Sequence, residues 1–600
     1  VFLNGTALQT LTPSVANAYN FYNLRVQNNT RLAQAITVRN LSIENNATLD
    51  CQQFQITGNA LGTMTMMAGT TLILGNPANA TAVTFPTNYT TANISLDTTS
   101  TVTYTAGANQ TVSAVPAAYG NLAIAAGSTG SYTRTLGDNV TVAGNLTISG
   151  GATVTASLLP AANNITVNGT TTINNNGIFN DNTIGGADRF DGLVTIANGG
   201  QFLNSSTSTT EFRGGIINNG TFTKSGTGTT TFSTNRQVVG GSNVISITGG
   251  DMVISHPAKV IVTNTSGISF SGTNFTINSD ADTAFFATAG TFTFVPNAAQ
   301  NIGGTGMGTV TFYNVVFAGG NTKTANIPFA TVADATINNG VTLNLGTTAK
   351  TITIGGNLTI DGILDFGTTA AKTVNVNGNL SDITGTITMT GAGLAHVLNL
   401  YGASNAITTF TTTAGSGSTV SYLSAGNQTL FASANYQNLT LSNGGTKSLS
   451  GNTTVNGTLT LNNSILQLGN FNLVLPTSAT SNIAGGPFSA SCMIATDGTG
   501  YLQQAIPASV PYTVPIGSNN TYSPVSVNAI SGTTYLQFRT VYSTTLGSNY
   551  LKRYWQLTAS AAATATLTFT YDAIENPTDP TIIWYRPTAG AWTTPVGIQS

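Results

Sequence analysis

Charged side chains are scarce in this sequence. Lys, Arg, Asp and Glu make up 6% of its 600 residues, whereas a typical soluble protein has about 25%. The 17 basic residues are scattered along the chain, so they form no patch that could neutralise nucleic-acid phosphates. We therefore expect no nucleic-acid partner. Hydrophobic residues still make up 40% of the chain, which argues against disorder.

Histidine and cysteine are rare too, with two of each. His256 and His396 are far apart in sequence, and no HExxH, CxxC or GxxxxGK[ST] motif occurs. Cys51 and Cys492 stand at opposite ends of a repetitive chain, so we predict two buried thiols and no disulfide. The sequence therefore predicts no cofactor, no resident metal and no nucleophilic catalysis.

Long apolar runs are also missing. No stretch of about twenty apolar residues occurs, so we expect no membrane insertion. The first ten residues, VFLNGTALQT, lack the basic start and apolar run of a signal peptide. We expect a processed mature protein or a piece of a longer chain.

What the sequence does contain is alternation. Residues 418–475 alternate apolar and polar side chains, interrupted by Gly, Asn and Ser, which indicates half-buried strands joined by tight turns. The same features occur earlier: STVTYTAGANQTV at residues 100–112 matches STVSYLSAGNQTL at residues 418–430. Weaker copies lie near residues 9–24, 230–247 and 291–315. The chain is therefore a repeat protein.

A shorter period runs through the same region. ITIGGNL at residues 352–358 recurs as VNVNGNL at residues 374–380, which is 22 residues later. That spacing suits one coil of a right-handed parallel β-solenoid, in which each coil is completed by its neighbours. Gly and Asn suit the left-handed corners, and Asn and Thr suit ladders between coils. We predict a solenoid over residues 1–480, with tandem β-sandwiches as the alternative.

Beyond residue 480 the composition changes. Proline becomes frequent, all three tryptophans occur, and TLTFTY at residues 566–571 alternates regularly. These features predict an antiparallel β-sandwich over residues 481–600. No closing strand is visible after Trp584, so we expect this module to be truncated.

Three features resemble the large secreted surface adhesins of Bacteroidota that use type IX secretion. They are the long repeat, the junction ATDGTGYL at residues 495–502, and RYWQL at residues 553–557 followed by a later Trp592. The resemblance implies an extracellular, non-enzymatic stalk or filament segment. It implies partners among cell-surface or matrix components, with glycans and self-association into filaments as candidates. It also implies O-glycans at Asp-Thr sequences, which here are Thr98 and Thr283.

Two pairs of carboxylates are the residues to consider for chemistry. A polysaccharide lyase or hydrolase on a β-helix needs convergent carboxylates, and Asp361 and Asp365 are the candidates. Asp280 and Asp282 could contribute oxygens to calcium, although calcium-binding nonapeptides are missing. We favour turn residues for both pairs.

A glycan-binding surface in the C-terminal module is a further alternative. Its candidate residues are aromatic, because sugars stack on aromatic rings, but a β-sandwich also buries such residues in its core. The candidates are Tyr554, Trp555, Trp584 and Trp592.

Overall fold

The computed structural model describes residues 1–12, 19–128, 130–478, 482–507, 511–544, 551–572 and 575. The chain divides into two compact units, residues 1–333 (unit 1) and residues 334–600 (unit 2). In the described part, regular structure consists of strands and one 3₁₀ helix, Thr91–Asn93. The all-β prediction is confirmed. No described helix has the length and hydropathy needed to cross a bilayer.

The strands of unit 1 are β1 (Phe2–Leu3), β2 (Gln9–Leu11), β3 (Tyr19–Val26), β4 (Thr30–Leu32), β5 (Ile36–Ile43), β6 (Thr48–Asp50), β7 (Ile56–Thr57), β8 (Met64–Met66), β9 (Thr71–Leu74), β10 (Ile94–Leu96), β11 (Thr101–Tyr104), β12 (Gln110–Val112), β13 (Asn121–Ala125), β14 (Tyr132–Leu136), β15 (Val140–Val142), β16 (Leu146–Ser149), β17 (Ala156–Leu159), β18 (Ile165–Val167), β19 (Thr171–Ile173), β20 (Gly177–Asp181), β21 (Asp188–Phe190), β22 (Val194–Ile196), β23 (Gln201–Asn204), β24 (Thr210–Phe212), β25 (Gly215–Asn218), β26 (Thr221–Lys224), β27 (Thr230–Phe232), β28 (Arg236–Gly240), β29 (Ile245–Ile247), β30 (Met252–Ile254), β31 (Lys259–Val262), β32 (Ile268–Phe270), β33 (Asn274–Ile277), β34 (Thr283–Ala287), β35 (Thr291–Phe294), β36 (Gln300–Gly303), β37 (Thr309–Phe312), β38 (Asn314–Phe317), β39 (Asn321–Ala325) and β40 (Ala330–Thr331).

The strands of unit 2 are β41 (Ala335–Ile337), β42 (Val341–Asn344), β43 (Lys350–Ile354), β44 (Leu358–Ile360), β45 (Ile363–Asp365), β46 (Lys372–Val376), β47 (Leu380–Ser381), β48 (Thr386–Met389), β49 (Val397–Leu400), β50 (Thr409–Thr412), β51 (Thr419–Tyr422), β52 (Gln428–Leu430), β53 (Asn438–Ser442), β54 (Thr446–Leu449), β55 (Thr453–Thr454), β56 (Leu459–Asn462), β57 (Ile465–Gln467), β58 (Leu473–Leu475), β59 (Ile483–Gly485), β60 (Ile494–Ala495), β61 (Leu502–Ala505), β62 (Tyr512–Val514), β63 (Ile516–Ser518), β64 (Thr521–Tyr522), β65 (Val525–Ser531), β66 (Tyr535–Tyr542), β67 (Arg553–Ala559) and β68 (Thr564–Phe569).

Three parallel sheets form the sides of the coil in unit 1. One coil contributes β19, β20 and β21, and the next contributes β22, β23 and β24, each strand pairing in parallel with its counterpart. Within each unit, every described strand pair up to residue 478 is parallel. Tandem sandwiches would require antiparallel pairs, so the solenoid prediction is confirmed for this region.

Like side chains stack on like side chains inside the coils. Phe179, Phe202 and Phe222 form one stack, with ring centroids 4.8 and 5.0 Å apart. A parallel stack on the neighbouring sheet contains Phe190 and Phe212, 5.6 Å apart. Register in a parallel sheet places equivalent residues of successive coils directly above one another, so each inward position becomes a continuous apolar ladder.

Asparagine has two structural roles at the corners of the coils. Many corner asparagines have a positive φ angle, which few other side chains tolerate. Others accept a backbone N–H from the next coil: Asn121 Oδ1 accepts from Asn145 N at 2.8 Å, and Asn145 Oδ1 from Thr170 N at 2.8 Å. The predicted ladders are therefore present, and they run from side chain to backbone. The asparagines with positive φ are Asn45, Asn46, Asn88, Asn176, Asn321, Asn443, Asn463, Asn519 and Asn520.

The long sequence repeat encodes a pair of buried tyrosines. The hydroxyls of Tyr104 and Tyr119 are 2.9 Å apart in unit 1, and those of Tyr422 and Tyr436 are 3.0 Å apart in unit 2. In the second pair, Tyr436 donates to the Phe431 carbonyl at 2.7 Å, while the Phe431 N–H donates to Tyr422. Each tyrosine pair therefore satisfies the backbone of the turn that it encloses.

A buried glutamine lies between the two tyrosines of each pair in the sequence and also bonds to the backbone around it. Gln110 Oε1 accepts from the Ala106 N–H at 2.9 Å, while its Nε2 donates to the carbonyls of Leu74 and Val83 at 3.0 and 2.8 Å. Gln428 repeats this arrangement with Ser424, Leu400 and Gly402. These contacts explain why the Asn-Gln-Thr element recurs.

A buried basic residue pairs in register with each of these glutamines. Arg134 lies above Gln110, and Lys447 lies above Gln428. Lys447 Nζ donates to the carbonyls of Ser424 and Gly426 at 2.6 and 2.9 Å. The buried basic side chains of the described residues are Arg134, Lys224, Lys323, Lys350, Lys372, Lys447 and Arg553. Many of the few Lys and Arg residues are therefore inside the protein, although the sequence pattern did not predict this.

The burial of these lysines predicts an unusual dependence of stability on pH. Burial lowers the pKa of Lys323, Lys350 and Lys447 to about 8, from the ordinary value of 10.5. At pH values between about 8 and 10.5, the unfolded chain holds protons that the folded protein has released. The free energy of unfolding therefore rises with pH in this range. Above pH 10 it falls, because burial raises the pKa of Tyr104 to about 12 and the unfolded chain loses that proton first.

We therefore expect stability in urea to be greatest near pH 10. Replacing Lys323, Lys350 and Lys447 together by methionine should flatten the rise above pH 8, while Lys552→Met at an exposed position serves as the control. A stability that declines steadily from pH 7 to pH 10 in the unsubstituted protein would contradict this expectation.

Resistance to trypsin is a second expectation. Trypsin must bind an extended segment around a basic residue, and burial in stacked coils prevents this without cooperative opening. Native digestion should leave the bonds after Lys323, Lys350, Lys372 and Lys447 intact, while the exposed Lys552 is cut. Mass spectrometry should find peptides ending at the buried lysines only after denaturation. Their rapid appearance in the native digest would show that the coils open easily.

Antiparallel pairing begins in the last part of the chain. β61 pairs in parallel with β58 and antiparallel with β66, and β62, β65 and β68 form an antiparallel sheet. These sheets agree with the predicted C-terminal sandwich. Parallel pairing continues to β63, so the change occurs later in the chain than residue 480, where proline first becomes frequent.

Both cysteines are buried free thiols, Cys51 in unit 1 and Cys492 in unit 2, as predicted. Burial raises the pKa of the Cys51 thiol far above its ordinary value, so this thiol stays protonated and unreactive at neutral pH.

Candidate functional site

Asp361 lies two residues before the short strand β45, and Asp365 is the last residue of that strand. Asp361 Oδ1 accepts from the Ile383 N–H of the next coil at 3.0 Å. Asp365 accepts from the Gly367 N–H and from Thr388 Oγ1, both at 2.9 Å. Both carboxylates are thus engaged by turns and by the adjacent coil, as turn residues are.

Asp280 and Asp282 lie at an exposed corner before β34. Asp280 Oδ1 accepts from the Met307 N–H at 2.9 Å, and its other oxygen lies 3.9 Å from His256 Nδ1. The Asp282 carbonyl accepts a hydrogen bond from Thr309 Oγ1. In the described part of the chain, no group of three or more His, Cys, Asp and Glu side chains is placed to hold a metal ion.

The two candidate glycosylation sites are on the surface. Thr98 is exposed in the turn before β11, and Thr283 is exposed at the start of β34. Beside Thr98, the carboxylate of Asp97 accepts from the N–H and hydroxyl of Thr99, which lowers the Asp97 pKa. Both threonine hydroxyls could be reached by a glycosyltransferase, and their modification stays a prediction.

The aromatic candidates separate into two groups. Tyr554 and Trp555 belong to β67, where Trp555 packs on Phe569 at 5.0 Å and donates from Nε1 to the Ser523 carbonyl at 3.0 Å. Trp555 is therefore a packing residue of the antiparallel sheets. Trp584 and Trp592 lie outside the described residues.

Arg553, from the basic pair next to these aromatic residues, is buried. Its Nε and Nη2 donate to the two oxygens of Glu575 at 2.9 and 2.7 Å, and its Nη1 donates to the Ser518 carbonyl at 3.1 Å. Such a bidentate ion pair fixes the position of β67 and leaves the guanidinium unavailable for a ligand.

An open groove of about 620 Å³ lies on unit 1, between residues 84–91 and 111–138. Its lining is mostly Thr, Ser, Asn and Ala, and Asp138 is the one ionisable side chain among the described lining residues. A glycosidase needs two carboxylates facing each other across the substrate, and this groove does not supply a second one.

The strongest concentration of chemically active side chains lies inside unit 1. Asp181, Asn204 and Lys224 stack in register at the ends of β20, β23 and β26. Asp188 begins β21, across the corner from Asp181. All four side chains are at least 98% buried. We call these four residues the buried Lys–Asn–Asp cluster.

The side-chain amide of Asn204 is the centre of this cluster. Its Nδ2 donates to Asp188 Oδ2 at 2.8 Å and to Asp181 Oδ2 at 3.2 Å. Its Oδ1 lies 3.4 Å from Lys224 Nζ. The remaining oxygen of each carboxyl group has no hydrogen-bond partner in the described structure. Buried polar atoms are rarely left unpaired, so this cluster is a site that requires explanation.

Burial shifts the pKa of every ionisable member. It raises the pKa of Asp188 well above its ordinary value, and the neighbouring Asp181 carboxyl raises it further. Burial also raises the pKa of Asp181 and lowers that of Lys224, although the two carboxyls act in the opposite direction on Lys224. Two neighbouring negative charges disfavour each other, so these shifts favour a neutral carboxylic acid in the cluster beside the Lys224 side chain.

No protein-family model, curated protein or solved structure matches this chain. The resemblance to secreted surface adhesins therefore stays an expectation.

The sequence contains a signal for the burial of these polar residues. In β20, β23 and β26 a phenylalanine stands two residues before the polar residue, as in Phe202 and Asn204 or Phe222 and Lys224, whereas in β21 the phenylalanine follows Asp188. Strand alternation places residues two apart on the same face, so an inward phenylalanine predicts an inward lysine.

Proposed function

We propose that this protein is a structural or adhesive segment of a bacterial cell-surface protein, acting outside the cell as part of a stalk or filament. The β-solenoid fold is compatible with such a role. The observation that carries the proposal is that polar and charged side chains are used between coils. Asn145, Gln110 and Lys447 each bond the backbone of a neighbouring coil or its corner.

The carboxylate contacts support the same proposal. An enzyme on this fold would need carboxylates that are free to meet a substrate, whereas Asp361 and Asp365 bond to turns and to the next coil. An adhesive role needs no such groups. It needs a folded protein that resists proteases outside the cell. Stacked coils with few accessible basic residues would provide this resistance.

Surface labelling in the native host tests the location. Antibodies against unit 1 should label intact cells, and the signal should be lost when intact cells are treated with a broad-specificity protease. Labelling that appears only after the cells are broken would contradict an extracellular location.

A screen of acidic and neutral polysaccharides separates the adhesive role from catalysis. We expect no cleavage, with retention on at least one cell-surface or matrix polymer. Cleavage that is abolished by Asp361→Asn, and retained by the surface control Asp280→Asn, would establish the enzyme instead. Retention lost on Tyr554→Ala would place the binding surface on β67; Trp555 is unsuitable for this test because it packs on Phe569.

A further inference from the structure

Lys224 differs from Lys447 and Lys323 in the hydrogen-bond partner of its amine. Lys447 and Lys323 each donate to two backbone carbonyls, at distances of 2.6 to 2.9 Å. Lys224 Nζ instead has the side-chain amide of Asn204 as its partner, at 3.4 Å. That distance is long for a hydrogen bond from an ammonium group, which is usually about 2.7–2.9 Å. The distance joins Nζ to Oδ1, and because Oδ1 is bonded to Cγ, the amine lies beside the amide carbon that it would attack.

The surroundings of the amine exclude water. Phe202 and Phe222 stand on the same faces of β23 and β26 as Asn204 and Lys224, and they stack at 5.0 Å. Phe212 packs beside both rings. An apolar enclosure favours the neutral form of a lysine amine, and a neutral amine is a nucleophile.

We propose that Lys224 and Asn204 join in an intramolecular isopeptide bond, formed by the folded protein itself. Lys224 Nζ attacks Cγ of Asn204, a C–N bond forms, the Cγ–Nδ2 bond breaks, and Nδ2 leaves as ammonia. The reaction exchanges one amide for another, so no atom is oxidised or reduced and no co-reactant is needed.

The two carboxyls accept and donate the protons of this reaction. The ammonium of Lys224 first gives a proton to the ionised member of the Asp181–Asp188 pair, which leaves a neutral amine and two carboxylic acids. Asp188 Oδ2 lies 2.8 Å from Nδ2, the atom that must be protonated to leave. As Nδ2 takes a proton from Asp188, the attacking nitrogen returns one to the pair, which ends fully protonated. Asp188 is thus the catalytic acid, and Asp181 accepts the first proton.

The backbone already supports the product. Asn204 and Lys224 are direct partners in the parallel pair β23–β26, so the new bond joins adjacent coils without moving a strand. It would close a covalent loop over residues 204–224, and such loops restrict the unfolded chain. This inference does not depend on the proposed function, since it concerns the interior of unit 1 alone.

Peptide mapping after denaturation tests the bond. Tryptic cleavage occurs at Arg189, Arg213, Lys224 and Arg236 in this region. The linked protein should yield residues 190–213 joined to residues 214–236, lighter than the two peptides together by one ammonia, with cleavage after Lys224 lost. The intact denatured protein should show the same loss of one ammonia.

Three variants assign the roles. Lys224→Met and Asn204→Ala should each restore the mass calculated from the sequence, while Lys447→Met, which alters a buried lysine outside the cluster, should keep the loss of ammonia. Asp188→Asn preserves the shape of the side chain and should leave most of the protein unlinked. Linkage as complete as in the unsubstituted protein would remove Asp188 from the mechanism.

The unsubstituted protein alone can overturn the proposal, even where a variant fails to fold. If protein with the far-ultraviolet circular dichroism of a β fold shows the full calculated mass and separate peptides ending at Lys224, no bond forms. Conversion of Asn204 to aspartate without a link to Lys224 would also contradict it, because the nucleophile would then be water.

Discussion

Replacement of Phe202 by alanine is expected to lower the free energy of unfolding of unit 1 by about 4 kcal/mol, because truncating a buried phenylalanine costs about 3–5 kcal/mol. Phe202 lies between Phe179 and Phe222 in one stack and also contacts Phe190 and Phe212. The coils above and below hold these rings in register, so the cavity cannot close by a local shift.

Urea denaturation followed by circular dichroism measures this effect, and hydrogen exchange should place the loss of protection in residues 171–232. Phe202→Leu keeps most of the volume and should cost about 1 kcal/mol. Leu61→Ala, whose side chain is 79% exposed, should stay within about 0.5 kcal/mol of the unsubstituted protein. An equal effect of Phe202→Ala and Leu61→Ala would show that the stack does not stabilise the coils.

Replacement of Gln110 by leucine is expected to cost about 3 kcal/mol, since it removes three buried hydrogen bonds and leaves the Ala106 N–H and the Val83 carbonyl without this partner. The Leu74 carbonyl keeps the Thr105 N–H as a donor, so losing its bond to Gln110 contributes less to the cost of the substitution. The measurement is urea denaturation of the whole chain, read as the change in unfolding free energy of unit 1.

Gln300 provides a matched control in the same unit. It occupies the equivalent position below Lys323, but it makes one hydrogen bond, from Nε2 to the Gly272 carbonyl at 2.7 Å, and its Oε1 is unpaired. Gln300→Leu should therefore cost about 1 kcal/mol. If the two substitutions cost the same, the hydrogen bonds of Gln110 contribute nothing beyond packing.

The weaker copies of the long repeat explain this difference between the two glutamines. The copy at residues 291–315 has Phe294 and Phe312 where the strong copies have tyrosines, and these rings lie 6.2 Å apart. The copy keeps the apolar volume and the glutamine, and it loses the hydroxyl pair. Repetition therefore preserves the shape of the coil more strictly than its polar contacts.

The fold was predictable because its determinants are local. Alternation at period two, a step of about 22 residues and Asn or Gly at corners are all visible in short stretches such as residues 352–380. They determined the parallel strands and the corner conformations, because each coil repeats the same short-range constraints. The buried, unpaired state of Cys51 and Cys492 followed from the same solenoid prediction.

The candidate site was not predicted, because it depends on contacts between coils. Asp181, Asp188, Asn204 and Lys224 come from three successive coils, and no motif spacing joins them. Similarly, Asp361 and Asp365 are close in sequence, yet the next coil engages each of them separately.

The sequence by itself determined which residues face inward, since alternation follows from the geometry of a single strand. Only the tertiary structure decided which inward polar residues meet, because the register between coils sets the neighbours above and below. That register places the amine of Lys224 against an amide and two carboxyls, whereas it places Lys447 against backbone carbonyls. Two buried lysines on strands of the same kind therefore have different chemistry, because their electrostatic surroundings come from other coils.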